Sequence, residues 1–285
     1  MNMVQLIGAL ELGLLFSLVS LGVYITFRVI QFPDLTVDGS FPLGAAVAAT
    51  LIVEGFSPLT ATIIATLAGA LAGIVTSYLH TRCKILGLLA GILTMTALYS
   101  VNLRIMGKPN IALLFTPSLL DYFNTAHATL VLLSISVLII TLLLYRLFAS
   151  EWGLAIRAVG INPRVSPAYG ISVNTAILKA LVLSNALVAF AGALFAQIYG
   201  FADISLGTGT LISGLAAVII GERLIVKQSL LTQLFACVLG SIFYRFVITL
   251  ALNTQSLGLQ ASDLNLVTVI VVVLTMMIPA IRKNP

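Results

Sequence analysis

Residues 150–174 read SEWGLAIRAVGINPRVSPAYGISVN. This is the one substantial water-loving stretch of the chain. The runs on either side, 122–145 and 180–202, contain no Asp, Glu, Lys or Arg. A helix needs about 20 mostly apolar residues to cross a bilayer, and both runs satisfy that. The stretch therefore reads as a basic, helix-compatible segment held out of a membrane between two crossings and displayed to a soluble partner.

The rest of the sequence agrees. Of 285 residues, 60% are hydrophobic and only 8% charged, and the mean hydropathy is +1.16. A soluble domain needs a charged surface, so a membrane-embedded protein is indicated. Further uncharged runs lie at 55–79, 85–103 and 264–281. Apolar residues follow one another without strict alternation, which favours helices over a membrane β-barrel. The net charge of +5 reflects loop charges and carries no nucleic-acid signature. Cys83 and Cys237 are far apart and match no metal or redox spacing, so both read as reduced packing residues. The N-terminus lacks a basic leader region and carries Glu11, and reads as a retained first span.

Nine hydrophobic segments are expected, at about 4–28, 41–55, 58–80, 85–103, 127–148, 175–200, 207–221, 228–250 and 265–281. The fold class is an all-α polytopic membrane protein of about 8–10 transmembrane helices, with inverted repeats and short broken or re-entrant segments. One transmembrane domain spans 1–285, with a first half at about 1–126, a second at about 175–285, and a loop at 149–174 between them. The basic loops place the central loop and the C-terminus in the cytoplasm. Two segments, 41–55 and 207–221, are short for a crossing. Each follows a similar polar stretch: Phe32-Pro33-Asp34-Leu35-Thr36-Val37, and Phe201-Ala202-Asp203-Ile204-Ser205-Leu206. Phe and Asp recur at an offset of 169 residues. In this topology the copies begin on opposite sides of the membrane, as inverted repeats do, and such segments point to a transporter's substrate site.

Candidate pathway residues follow. Asp34, Thr36, Asp38 and Ser40 cluster at the first break, with Pro33 and Pro42 discouraging a continuous helix there. Asp203, Ser205 and Thr208 form the matching set. Tyr99 and Asn102 lie near the external end of a span. Carboxylates and hydroxyls at a break offer acceptors to a solute; they equally suit capping of helix ends, and both readings stay open. No phosphate loop, metal motif or catalytic triad is present. No catalytic residue, metal site or bound cofactor is therefore assigned to this chain. ATP chemistry, if used, belongs to a partner.

In the central loop, 151–159 is expected to form a helix with Ser150 as N-cap and Glu151 at its positive end. Gly160 is expected to stop it, and Asn162-Pro163 to turn the chain. Trp152, Leu154, Ile156 and Val159 supply apolar contact and Arg157 charge. Such a helix suits either the membrane surface or a groove on a soluble protein.

The pattern Glu151-x-Gly153-x-x-x-Arg157-Ala158-x-Gly160-x-Asn162-Pro163 resembles the cytoplasmic coupling loop of ABC-importer permeases of the branched-chain amino acid/ribose type. The stretches from Tyr24 to Ala45 and from Leu89 to Ser100 resemble a subgroup of amino-acid importers, some proposed to carry aromatic amino acids. The resemblance covers essentially the whole chain. It implies a permease subunit of the bacterial inner membrane, surrounded by lipid and paired with a second permease copy. ABC ATP-binding subunits carrying ATP and Mg would dock on Glu151, Trp152, Gly153, Arg157, Ala158, Gly160 and Asn162. An external substrate-binding protein would deliver a small solute, an amino acid by family expectation. The rival reading, an ion-coupled secondary transporter, requires ionisable groups in mid-span; Arg245 and the acidic breaks are almost all the chain offers.

Overall fold

The computed structural model describes residues 3–123, 127–225, 229–253 and positions 269, 270 and 273. Among these, seven helical stretches are long and apolar enough to cross a membrane. α1 (Met3–Tyr24) runs into a π-helical turn, Ile25–Val29. α2 (Val37–Val53) is short. α3 (Pro58–Thr81), α4 (Gly87–Met106) and α5 (Ala128–Ala149) follow. α6 (Glu151–Ile161) is the helix of the central loop. α7 (Val173–Tyr199), α8 (Thr210–Leu224) and α9 (Leu230–Asn253) complete the described helices. β1 (Asn110–Ala112) pairs antiparallel with β2 (Phe201–Asp203), with Asn110 opposite Asp203.

Six of the nine expected segments coincide with helices to within a few residues. The short ones differ. α2 begins at Val37 rather than 41 and runs through Pro42, where the sequence predicts no continuous helix. Proline lacks an N–H, so the carbonyl of Asp38 loses its helical donor. Gly207 packs against that carbonyl so closely that a Cβ would lie 1.7 Å from the oxygen. α8 begins at Thr210, after a 3-10 turn at Ile204–Gly207. The segment at 265–281 and the C-terminus lie outside the described residues, apart from 269, 270 and 273.

Contacts sort the helix ends onto two faces. The end of α1 meets α6, where a Cβ on Gly160 would strike the Val29 carbonyl. Arg28 pairs with Glu222 at the end of α8, and Tyr24 donates to Gln233 near the start of α9. Phe32 packs edge-on against His80 at the end of α3. These ends define an α6 face. The β1–β2 strand pair, following α4 and α7, marks the opposite face. After α1, the chain therefore re-enters from the α6 face through 30–36 and continues as α2. After α7, it re-enters from the strand-pair face through 204–209 and continues as α8. The two short helices are inverted with respect to each other.

α7 is the central element and packs against α1, α2 and α3. Small residues permit this, since a Cβ on Gly69, Gly73 or Gly192 would strike the backbone of a neighbouring helix. Lipid is as apolar as a helix interior, so close packing and interhelical hydrogen bonds must hold a membrane bundle. Ser184 donates to the Gly22 carbonyl at 2.8 Å and Ser241 to the Gly13 carbonyl at 2.8 Å. α5 exposes Ile135, Leu138, Ile139, Leu142 and Leu143, a lipid-compatible surface. Cys237 is buried and Cys83 exposed, and neither forms a disulfide.

Candidate functional site

The two acidic breaks have the same local design. Asp34 Oδ1 accepts the Thr36 N–H at 2.9 Å, and its Oδ2 accepts the Asn185 amide at 2.8 Å. Asp203 Oδ1 accepts the Ser205 N–H at 2.8 Å, and its Oδ2 accepts the Asn110 amide at 3.1 Å. An Asp that bonds its own backbone two residues on forms a tight turn without a helix. Each carboxyl therefore folds its break and ties it to a distant asparagine.

The environments differ. Asp34, Thr36 and Ser40 have no exposed surface. Thr36 shares a hydroxyl contact of 2.7 Å with Thr76, and Ser40 donates to Asn185 Oδ1 at 2.7 Å. These three predicted pathway residues sit in a closed polar network. A buried polar group is costly without partners, and here partners are supplied. Asp203 is partly exposed at the strand-pair face. Burial acts to raise its carboxyl pKa, but hydrogen bonds from Ser205 and Asn110 outweigh it and hold the group below the usual carboxylate range.

Asp38 joins the repeats. Its Oδ1 accepts the N–H of Leu211 in the first turn of α8 at 2.7 Å. A helix N-terminus carries unsatisfied N–H groups and a partial positive charge, which a carboxylate complements. Beside this contact lies a cavity of about 400 Å³, lined by Asp38, Gly39, Pro42, Met95, Thr96, Tyr99, Asn102, Ile204, Ser205, Gly207 and Thr208. Five predicted residues meet there: Asp38, Tyr99, Asn102, Ser205 and Thr208. Asn102 is buried, donates weakly to the Gly39 carbonyl at 3.4 Å, and leaves its Oδ1 without a partner. The cavity offers oxygen acceptors on one wall and Met95, Tyr99, Pro42 and Ile204 as apolar surface.

Sequence reasoning missed Asn185 and Thr96. Asn185 is a lone amide inside the uncharged run 180–202. An intramembrane polar side chain is itself a signal, because it must find a partner there. Thr96 carries no comparable mark, and only the tertiary contact of α4 with α2 brings it to the cavity.

On the other face, α6 packs against α5, α7 and the turn that ends α1. Gly153, Ile156, Val159 and Gly160 are buried, which places them on one helical stripe. Glu151, Trp152, Leu154 and Ile161 are exposed, while Arg157 and Ala158 are intermediate. Two details correct the expectation. The helix continues through Gly160 to Ile161, and Gly160 is required by contact with Val29, not as a stop. Ser150 occupies the N-cap position but makes no side-chain cap; its hydroxyl donates back to the Leu147 carbonyl. Asn162 does turn the chain, its Oδ1 accepting the N–H groups of Arg164 and Val165. Lys179 sits 3.7 Å over the Trp152 ring and steadies that exposed indole.

Residues 5–279 match the family described as branched-chain amino acid transport system, permease component. The chain is 40% identical over 268 residues to the tyrosine transport system permease protein of Clostridioides difficile (strain R20291), covering 94% of this chain and 89% of that one. It is 37% identical to an uncharacterized protein of Rickettsia prowazekii (strain Madrid E), covering 95% and 96%. The fructose import permease FrcC of Rhizobium meliloti is 27% identical over 74% of this chain and 61% of its own. Among solved structures, PsaBC from Streptococcus pneumoniae in complex with Fab superposes with a TM-score of 0.54 at 16% identity, covering 96% of this chain and 90% of that one. That likeness concerns the fold.

Proposed function

The chain belongs to the family of branched-chain amino acid transport system permease components, and from this premise we propose that it carries an amino acid across the bacterial inner membrane, driven by partner ATPases. It is a permease component of an ABC-type importer for a small solute, and the family is not itself catalytic. ATP hydrolysis resides in separate subunits. The finer reading assigns a solute class, a docking helix and a path between them.

One juxtaposition carries it. Gly160 of α6 touches the carbonyl of Val29. From Val29 the chain runs directly through Asp34 into α2, where Asp38 borders the cavity and holds the first turn of α8. A displacement of α6 thus has a short covalent and packed route to both half-helices. In this reading the α6 face is cytoplasmic, and Trp152, Leu154 and Ile161 form the apolar knob received by an ATPase groove. Nucleotide in that partner biases the inward and outward forms through its differing affinity for them. An external binding protein delivers the solute at the strand-pair face, and a second copy of the permease completes the pathway.

The cavity favours an amino acid through the Asp38 carboxylate on its wall, which suits an ammonium group. Met95 and Tyr99 suit an apolar or aromatic side chain. The tyrosine permease of C. difficile supports that class.

The test is uptake in proteoliposomes containing the permease, its ATPases and its binding protein. L-tyrosine, L-leucine and fructose are offered in parallel. ATP-dependent uptake of an amino acid is expected, and Trp152→Ala with Leu154→Ala should abolish it by loosening the ATPase. Uptake that persists without ATPases and collapses with an ion gradient would overturn the reading, as would full coupling in the double variant.

A further inference from the structure

Arg245 lies on α9, within a membrane-spanning stretch. A charged group at membrane depth is costly unless paired, and it marks a functional site more often than a structural one. No carboxylate of the described residues forms an ion pair with it; the ion pair among them is that of Arg28 with Glu222. Its Nε is buried and has no hydrogen-bond partner. One face of the guanidinium is covered by Phe16, with the central carbon 3.7 Å from the ring centroid. A ring face offsets part of the cost of the cation, but it accepts none of the in-plane N–H groups.

Arg245 borders a cavity of about 240 Å³ between α1, α8 and α9. The same cavity is lined by Gly209, Thr210, Ile212 and Ser213, the start of α8. Of the amides in that first turn, Leu211 donates away from the cavity to Asp38. Ser213 donates to the Gly209 carbonyl. The amides of Thr210 and Ile212 have no acceptor among the described residues. The guanidinium of Arg245, two amides without an acceptor among the described residues and the positive end of a helix thus border one cavity.

The geometry points to an oxyanion site: a carboxylate or phosphate group binds in this cavity, held by the Arg245 guanidinium and the N-terminus of α8. Arginine suits such planar, paired-oxygen groups, and a helix N-terminus is a ready anion receptor. Two sources share this chemistry, the carboxylate of a solute in transit and the phosphate of a membrane lipid. The solute source rests on the transport reading above; the lipid source does not. The site lies on the other side of the 204–209 segment from the Asp38 cavity, and Thr208 borders both.

The experiment uses the full chain in dodecyl maltoside micelles, which carry no phosphate, and the arginine reagent phenylglyoxal, with the modification rate at Arg245 read by peptide mass spectrometry. Four preparations are compared: the micelles alone, the micelles with phosphatidylglycerol, and the micelles with either L-tyrosine or tyramine, which lacks the carboxylate. Protection by an order of magnitude with phosphatidylglycerol supports the lipid source. Equal protection by L-tyrosine but not tyramine supports the solute source. Native mass spectrometry of Arg245→Gln and Arg245→Lys gives a second readout, with the protected ligand lost from the glutamine variant and partly kept by lysine. An Arg245 that reacts at one rate in all four preparations, or in none, overturns the site. Failure of ATP-driven uptake alongside lipid protection would sink only the transport reading.

Discussion

The carboxylate of Asp38 accepts the backbone N–H of Leu211 at 2.7 Å across 173 residues of sequence. Asp38 stands in the first turn of α2 and Leu211 in the first turn of α8. The N-terminal ends of two oppositely inserted half-helices are therefore joined by one side chain. Neither helix caps itself at this point, since Thr36 and Gly209 make no side-chain cap.

Removing this contact should loosen α8 more than α2. Asp38→Ala is expected to cost about 1–2 kcal/mol, as loss of a helix cap does, while Asp38→Asn keeps an acceptor and loses less. Thermal unfolding in detergent, with hydrogen exchange resolved over 210–224, measures both. Equal protection of α8 in parent and alanine variant would show that the cap is not holding it.

Gly207 should tolerate no side chain. A Cβ there meets the Asp38 carbonyl at 1.7 Å, whereas one on Gly8 meets nothing within 4 Å. Overpacking of this kind costs about 1–3 kcal/mol. Gly207→Ala is expected to lower the unfolding temperature while Gly8→Ala leaves it unchanged. Matching midpoints for the two variants would contradict the close approach.

Asn185 satisfies two groups that have no access to water. Asn185→Leu removes the donor to Asp34 Oδ2 and the acceptor for Ser40. Stranding buried polar groups costs about 1–3 kcal/mol each, so a fall in stability of at least about 2 kcal/mol is expected. Denaturation in mixed detergent reads it, and a parent-like midpoint would remove this network from the stability account.

The β1–β2 strand pair should loosen in acid. Asp203 is held below the usual carboxylate range by its hydrogen bonds. A lowered folded-state value means that the stabilisation is present at higher pH, and is lost as pH falls through that value, below about pH 4. Hydrogen exchange at 110–112 and 201–203 should therefore accelerate, after correction for intrinsic rates, on acidification. Asp203→Asn should abolish that dependence; a variant with the parent's pH profile would assign the effect elsewhere.

The repeat at offset 169 was legible because turn chemistry is local. An Asp that bonds the amide two residues on needs only its own neighbours, so Asp34 and Asp203 carry the same local signature. The turn at Asn162 was legible for the same reason. Gly160 was misread because its signal is shared: glycine marks a helix stop and a close contact alike, and only the position of Val29 distinguishes them. Pro42 was misread because its cost depends on what else satisfies the freed carbonyl region, and Gly207 lies far away in sequence.

The sequence by itself determined an all-helical membrane chain, its long spans, its exposed basic loop and the two acidic breaks. Those follow from hydropathy, length and local hydrogen bonding, which act over a few residues. Only the tertiary structure decided what the breaks are for. It closed Asp34, Thr36 and Ser40 into a network around Asn185, and set Asp38 against α8. It also opened a cavity on Asn102, and left Arg245 facing the start of α8 without a carboxylate partner among the described residues. The reason is that a polar group in a membrane must be satisfied by whatever lies beside it. That neighbour is chosen by helix packing, which no local pattern encodes.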